Sequence, residues 1–384
     1  MRVFLTAGEP SGDRLGAALM DGLSTLAPGT RFEGVGGEGM LARGLESLFP
    51  MDEISIMGIV EILSQYRHLK RRIRETAEAV VAAKPDVLVT IDLPEFSLRV
   101  AKLVKEMSDI RVVHYVAPTV WAWRPGRAAK MAPHVDQVLA LFPFEPPFME
   151  AAGMRCDFVG HPVVTEPQAT AEEAAAFRAR HGIGEAPLLL VLPGSRRSEV
   201  GRLAPLFGEV LARHAAERPD TRIVVPAAGP VAAMVEEAVR GWPGAPIFLD
   251  PRTAADAAAE KRAAFAAADA ALAASGTVAL ELAAADTPMV VAYDMGWISR
   301  AIIQRMLVTD SVNLVNLVAD TRVVPEFIGS ECRPGPIDAA LGAVLDDPGP
   351  QRAAMALTME RLGRGGPAPG LRAAQAVLDG LGRA

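Results

Sequence analysis

Aromatic residues are scarce in this chain, at 5% of 384, and cysteine occurs only twice, as Cys156 and Cys332. The two thiols lack the paired spacing of a zinc site or redox motif, and read as buried thiols of a reducing compartment. No stretch reaches the ~18 uninterrupted apolar residues of a membrane span, and the apolar run opening "MRVFLTAGE" is too short for a signal peptide. A cytoplasmic protein is expected, soluble or held only at a membrane surface. Positive charge is not in excess: 39 Lys and Arg against 46 Asp and Glu give a net charge of −7. That speaks against nucleic acid as the main partner, because a phosphate-binding surface normally makes its domain basic. There is no G-x-x-x-x-G-K-[ST] and no Asp-x-Asp, so neither a P-loop nor the commonest metal site for nucleotide sugars is expected.

What is present is an alternation. Short apolar runs alternate with longer Ala-, Leu- and Arg-rich segments of helical spacing, the pattern of parallel strands and crossover helices. The first series of strands reads Val3–Thr6, Phe32–Val35, Val87–Ile91, Val112–Val116, Gln137–Ala140 and Cys156–Val159. A polar, alanine-rich stretch, "TEPQATAEEAAAFRARHG", reads as a loop and a helix ending near Gly182. A second series follows in "PLLLVLPGS", "RIVVPAA", "PIFLD", "AALAASGT" and "PMVVAYD". A chain of this length exceeds one hydrophobic core. Two doubly wound α/β domains are expected, over residues 1–165 and 166–345, with C-terminal helices at 346–384 returning to the first. Ligands of such sheets lie outside the carboxyl ends of the strands, here in a cleft between domains.

Four loops follow strands and carry polar chemistry. "AGEPSGDRLG" turns the chain after the first strand: its amides, with Ser11 and Gly12, suit a phosphate or sugar, while Glu9 and Asp13 suit sugar hydroxyls or a helix cap. "LPGSRRSEV" combines a Gly-Ser turn with Arg196 and Arg197, and reads as an anion site or as an N-cap with two solvated arginines. "AASGTVALELA" repeats that logic with Ser275, Gly276 and Thr277, and places Glu281 one turn into the helix, within reach of ribose hydroxyls or of a salt-bridge partner. "GVGGEG", Gly34–Gly39, matches G-x-G-x-x-G only weakly, since it follows the second strand rather than the first.

In "TIDLPEF", Asp92 stands at the end of the clearest strand, as a part-buried general base or as a turn cap before Pro94. "HYVAPTVWAWRPGR" gathers Trp121, Trp123, Arg124 and Arg127, an aromatic acceptor pocket or interface packing. "IMGIVEILSQYRHLKRRIRE" is a basic amphipathic helix. Ile62, Leu63, Tyr66 and Leu69 belong to its apolar face and Arg67, Lys70 and Arg71 to its basic side, which fits an anionic membrane surface or a core-packed helix with a solvated face.

Together "AGEPSGD", "MGIVEIL", "IDLPEF", "HYVAPTVWAWR", "LFPFE", "FVGHP", "LPGSRRSEV", "ASGTVALELA", "PMVVAY" and "TDSVNLVNLVA" occur in an order and spacing that resembles the bacterial lipid-A-disaccharide synthases, over nearly the whole chain. The resemblance implies a GT-B glycosyltransferase of two Rossmann-like domains facing a cleft, which is inverting and needs no metal or other cofactor. It joins UDP-2,3-diacylglucosamine to 2,3-diacylglucosamine 1-phosphate at the inner face of the cytoplasmic membrane and releases UDP. By motif match Asp92 is implied as the base for the acceptor 6-hydroxyl and Arg196 as the diphosphate ligand. Ser275, Gly276, Thr277, Glu281 and Asn316 are implied around the donor. Glu38 and Arg197 depart from the family pattern without touching these positions. The oligomeric state, a homodimer included, is left open. The rival readings are a UDP-sugar 2-epimerase, a nicotinamide enzyme using Gly34–Gly39, and a non-catalytic lipid-binding protein.

Overall fold

A computed structural model describes residues 1–55, 66–121, 126–294, 309 and 311–383. The chain divides into two compact units, Met1–Thr165 with Leu362–Ala384, and Glu166–Arg361. The stretch 346–384 is therefore split. The Gly349–Arg361 helix belongs to the second unit, and the return to the first begins only at Leu362.

The first unit holds a seven-stranded sheet of β1 (Arg2–Ala7), β2 (Arg31–Val35), β3 (Glu46–Ser47), β4 (Val87–Ile91), β5 (Arg111–Tyr115), β6 (Gln137–Ala140) and β7 (Arg155–Phe158). Its order is β3-β2-β1-β4-β5-β6-β7, and every pairing is parallel. The second holds β8 (Leu188–Leu192), β9 (Arg222–Pro226), β10 (Ile247–Leu249), β11 (Ala270–Ala274), β12 (Met289–Tyr293) and β13 (Glu326–Ile328), parallel in the order β10-β9-β8-β11-β12-β13. β3 and β13, with two and three residues, escape periodicity because neither is long enough to show one.

Both faces of the first sheet are covered, so its central strands are apolar throughout. One face packs Val3, Leu5, Val89 and Ile91 against the Pro10–Leu26 and Pro369–Gly380 helices, and the other packs Phe4, Leu88 and Val112 against the Tyr66–Ala83 and Pro94–Met107 helices. The C-terminal helix can return because two glycines let backbones meet. A Cβ on Gly22 would lie 2.5 Å from the Gly370 carbonyl oxygen, and one on Gly370 the same distance from that of Ala18. Gln137 Nε2 donates to the Ala376 carbonyl at 2.8 Å, and Arg372 donates to that of Phe158 at 2.8 Å, fixing the helix to β6 and β7.

Candidate active site

A doubly wound sheet presents its ligand crevice where strand order reverses. In the first sheet this is between β1 and β4, and in the second between β8 and β11. The loops leaving those four strands begin with Gly8, Asp92, Pro193 and Ser275, so three of the four polar loops and the Asp92 turn stand at the two reversal points, while Gly34–Gly39 follows β2 away from them.

β4 is buried along its whole length. At its end Asp92 and Leu93 both turn left-handed, with φ of 48° and 44°, and Val116 beyond β5 does the same at 82°. Non-glycine residues hold such conformations at a cost on the order of 1–3 kcal/mol each, and only where neighbours enforce them. The Asp92 N–H donates to the Tyr115 carbonyl at 2.9 Å, and one layer below, Thr90 Oγ1 lies 2.8 Å from His114 Nδ1. Leu93 has room because position 8 is glycine: a Cβ there would come within 2.3 Å of Leu93 Cδ2. Burial pushes the half-buried Asp92 carboxyl above its ordinary value, opposed by a hydrogen bond from the Leu93 N–H. His114 is pushed down to about 4 by burial and then by the charge of Arg127, and is neutral at pH 7.

In the second unit Gly194 turns at φ 117°. The Ser195 and Arg196 amides donate to Glu199 Oε2 at 3.1 and 3.3 Å, so the loop's own carboxylate fills its amides. Charge for an outside anion rests instead on Arg196, whose side chain is 71% exposed and touches Glu199 Oε1 at 3.1 Å. Gly276, at φ 154°, leads the Ser275–Thr277 turn with open space around it. Glu281 Oε2 lies 2.5 Å from Lys261 Nζ, which realises the salt-bridge reading of that residue. Lys261 also lines an open pocket of about 690 Å³ beside Pro226, Phe248 and Leu249, at the carboxyl ends of β9 and β10. No motif announces this pocket, because its walls come from three separate segments.

Residues 3–366 match the family model described as lipid-A-disaccharide synthetase. The chain belongs to this family. It is 65% identical over 383 residues to the lipid-A-disaccharide synthase of Ruegeria pomeroyi, covering 99% of this chain and 96% of that one. It is 46% identical over 383 residues to that of Rhodospirillum centenum, covering 98% and 94%. Among solved structures it is similar to the UDP-GlcNAc 2-epimerase of Neisseria meningitidis bound to UDP-GlcNAc, with TM-score 0.65, 12% identity and full coverage of both chains. It is also similar to the calicheamicin glycosyltransferase CalG4, with TM-score 0.57, 17% identity, and coverage of 100% and 98%. At such identities these two show the fold alone, that of the GT-B UDP-sugar enzymes.

Several site residues of this synthetase-family chain do work other than the sequence suggested. Asp13 is buried, and its carboxylate accepts from the amides of Gly37, Gly39 and Met40 at 2.8, 2.8 and 3.1 Å. It is thus removed from sugar hydroxyls. It also occupies the amides of "GVGGEG" that a dinucleotide's phosphates would need. Glu9 is the half-buried residue before the Pro10–Leu26 helix, Ser11 is exposed and Gly12 is buried against Ile91. Asn316 is 0% exposed. Its amide donates to the Val324 carbonyl and Glu326 Oε1 and accepts from the Val324 N–H, so it ties β13 to the Leu314–Ala319 helix rather than facing a ligand. Trp121 packs edge-on to Phe144 at 5.2 Å. Trp123 and Arg124 lie outside the described residues.

The basic helix is half as expected. Ile62 and Leu63 lie outside the described residues, but Leu69, at 7% exposure, packs into the core with Ile73, Ala77 and Val80. Leu69 is thus not membrane-facing, because the stripe that includes it covers the sheet. Tyr66, Arg67, Lys70 and Arg71 are exposed, whereas Arg72 is held by Glu53 and Glu75 at 2.5 and 2.7 Å. Sequence reading missed the Thr90–His114 pair, whose signal is two polar residues inside otherwise apolar central strands, and Glu145. The Glu145 carboxylate is 2% exposed, accepts from the Leu141 and Phe142 amides, and is pushed up to about 8 by burial. Among the described residues no three metal-ligating side chains cluster, and no helix is long and apolar enough to cross a membrane.

Proposed function

We propose that this chain is a lipid-A-disaccharide synthase. It transfers the acylated glucosamine of UDP-2,3-diacylglucosamine to the 6-hydroxyl of 2,3-diacylglucosamine 1-phosphate, with inversion, giving the β-1,6-linked disaccharide 1-phosphate and UDP. The observation that carries the mechanism is the strained, part-buried Asp92 at the reversal point of the first sheet, with its pKa raised by burial.

Asp92 takes the proton of the acceptor O6–H as O6 attacks the anomeric carbon. The bond from that carbon to the diphosphate oxygen breaks and its electron pair leaves with UDP. The exposed Arg196 guanidinium and the Ser275 and Thr277 hydroxyls offset the charge that develops on the diphosphate. Glu281 and Lys261 meet the ribose, and the pocket beside Phe248 and Leu249 takes the base. Tyr66, Arg67, Lys70 and Arg71 hold the protein to the anionic inner surface of the cytoplasmic membrane, where both substrates reside.

The deciding experiment mixes the protein with both acylated substrates in detergent micelles and measures UDP release and disaccharide formation. Release of UDP with a disaccharide supports the reading. Absence of UDP, or epimerised UDP-sugar in place of disaccharide, overturns it.

A further inference from the structure

Outside the groups used above, the first unit has an open pocket of about 480 Å³ lined by Glu95, Gly126, Arg127 and Lys130. Its charges do not cancel. Glu95 Oε2 meets Arg99 at 3.2 Å and Glu95 Oε1 meets Arg127 at 3.3 Å, one contact each, while Lys130 has no partner among the described residues. Two cations line the pocket against one carboxylate, which is itself shared with Arg99, so the lining is net positive in a chain whose net charge is −7. A phosphomonoester carries about −1.5 to −2 at neutral pH and so is drawn to such a lining more strongly than a phosphodiester headgroup, which carries about half as much.

The pocket also adjoins the catalytic turn. Glu95 is three residues past Asp92, in the first turn of the Pro94–Met107 helix. Arg127 lies close enough for its charge to act on His114, the partner of Thr90, two residues before Asp92. In a hexose 1-phosphate C1 and the C5 that carries the CH2OH group flank the ring oxygen, so an acceptor O6 and its 1-phosphate stand on neighbouring parts of one sugar and call for a base and an anion site near each other. A guanidinium supplies directed donors for phosphate oxygens and an ammonium supplies a point charge.

We propose that Arg127 and Lys130 bind the 1-phosphate of the acceptor, an inference that rests on the reaction proposed above. The Glu95 carboxylate then holds Arg127 in place and gives it up in part to the ligand.

The test compares acceptors with and without the 1-phosphate, in neutral detergent micelles, using wild type, Arg127→Gln and the solvent-facing Lys130→Ala. Melting temperatures are recorded for each. In wild type kcat/KM favours the phosphorylated acceptor, and each variant lowers that preference at least ~10-fold through the acceptor KM, the scale of a lost charge-assisted hydrogen bond. Inorganic phosphate competes with acceptor in wild type and less well in the variants. Undiminished preference in a Lys130→Ala and an Arg127→Gln protein that both remain folded overturns the site and leaves the reaction standing. Loss of binding to phosphatidylglycerol vesicles with an unchanged preference assigns the pocket to a lipid headgroup and equally overturns it. If wild type releases UDP with neither acceptor, the proposed reaction falls and the phosphate site with it.

Discussion

Asp92→Asn separates chemistry from folding at the residue on which the proposed mechanism depends. Asparagine has the same shape and is among the residues that tolerate left-handed φ, so the turn at φ 48° and the 2.9 Å bond to the Tyr115 carbonyl persist. Alanine at that φ would add strain of about 1–2 kcal/mol, which makes asparagine the cleaner substitution. Because burial raises the carboxyl's folded pKa, its contribution to stability is full below the unfolded pKa and declines as pH rises through the folded one. At pH 7 to 8 the neutral amide therefore leaves the melting temperature equal or slightly higher. Removing a general base costs about 10²–10⁴-fold, or about 2.7–5.4 kcal/mol of activation free energy. UDP release measured between pH 4 and 9 gives wild type an acid limb of unit slope, with a midpoint above the ordinary carboxylate value, and the variant none. A variant within tenfold of wild-type turnover, with its melting temperature intact, would refute the assignment.

Other substitutions probe parts of the structure the reaction does not touch. Leu69→Ala removes a core side chain and should cost about 2–5 kcal/mol, seen as a lower denaturation midpoint. Tyr66→Ser, at a position 46% exposed, should weaken binding to anionic vesicles while the midpoint stays put, and equal destabilisation by the two would contradict the burial difference. Gly370→Val places a side chain against the Ala18 carbonyl and should destabilise by at least about 1–3 kcal/mol; an unchanged thermal midpoint would mean the C-terminal helix does not pack there. Glu145, pushed up to about 8, takes up a proton on folding between its ordinary value and that point. Stability should fall as pH rises across this window, and Glu145→Gln should flatten the slope. An unaltered pH profile of denaturation would show that the carboxyl is ionised in the folded protein.

Much of the candidate site is legible because its residues sit where strands end. The apolar runs of "KPDVLVTIDLP" and "PLLLVLPGS" locate β4 and β8, and a polar residue after such a run must emerge at the carboxyl edge of a parallel sheet. Asp92, Arg196 and the Ser275 turn were found that way. What carboxylates and amides do there was less legible. Asp13 looks like a group awaiting a ligand, yet it bonds amides of a glycine loop 24 to 27 residues away, and Glu199 fills the amides of its own turn. Leu69 and Tyr66 share one helical period, yet one is buried and the other exposed, and periodicity cannot distinguish a stripe that covers a sheet from one that meets lipid.

The sequence by itself determined the two series of parallel strands, the polar loops at strand ends and the family, since strand period, glycine placement and motif order are all local or linear properties. Only the tertiary structure decided which polar groups remain available. It gave the Asn316 amide to β13, set Thr90 against His114, and brought Arg99 and Arg127 onto one carboxylate with Lys130 left over. A polar group's role depends on what stands within about 3 Å of it, and in a doubly wound fold that neighbour is usually dozens of residues distant along the chain.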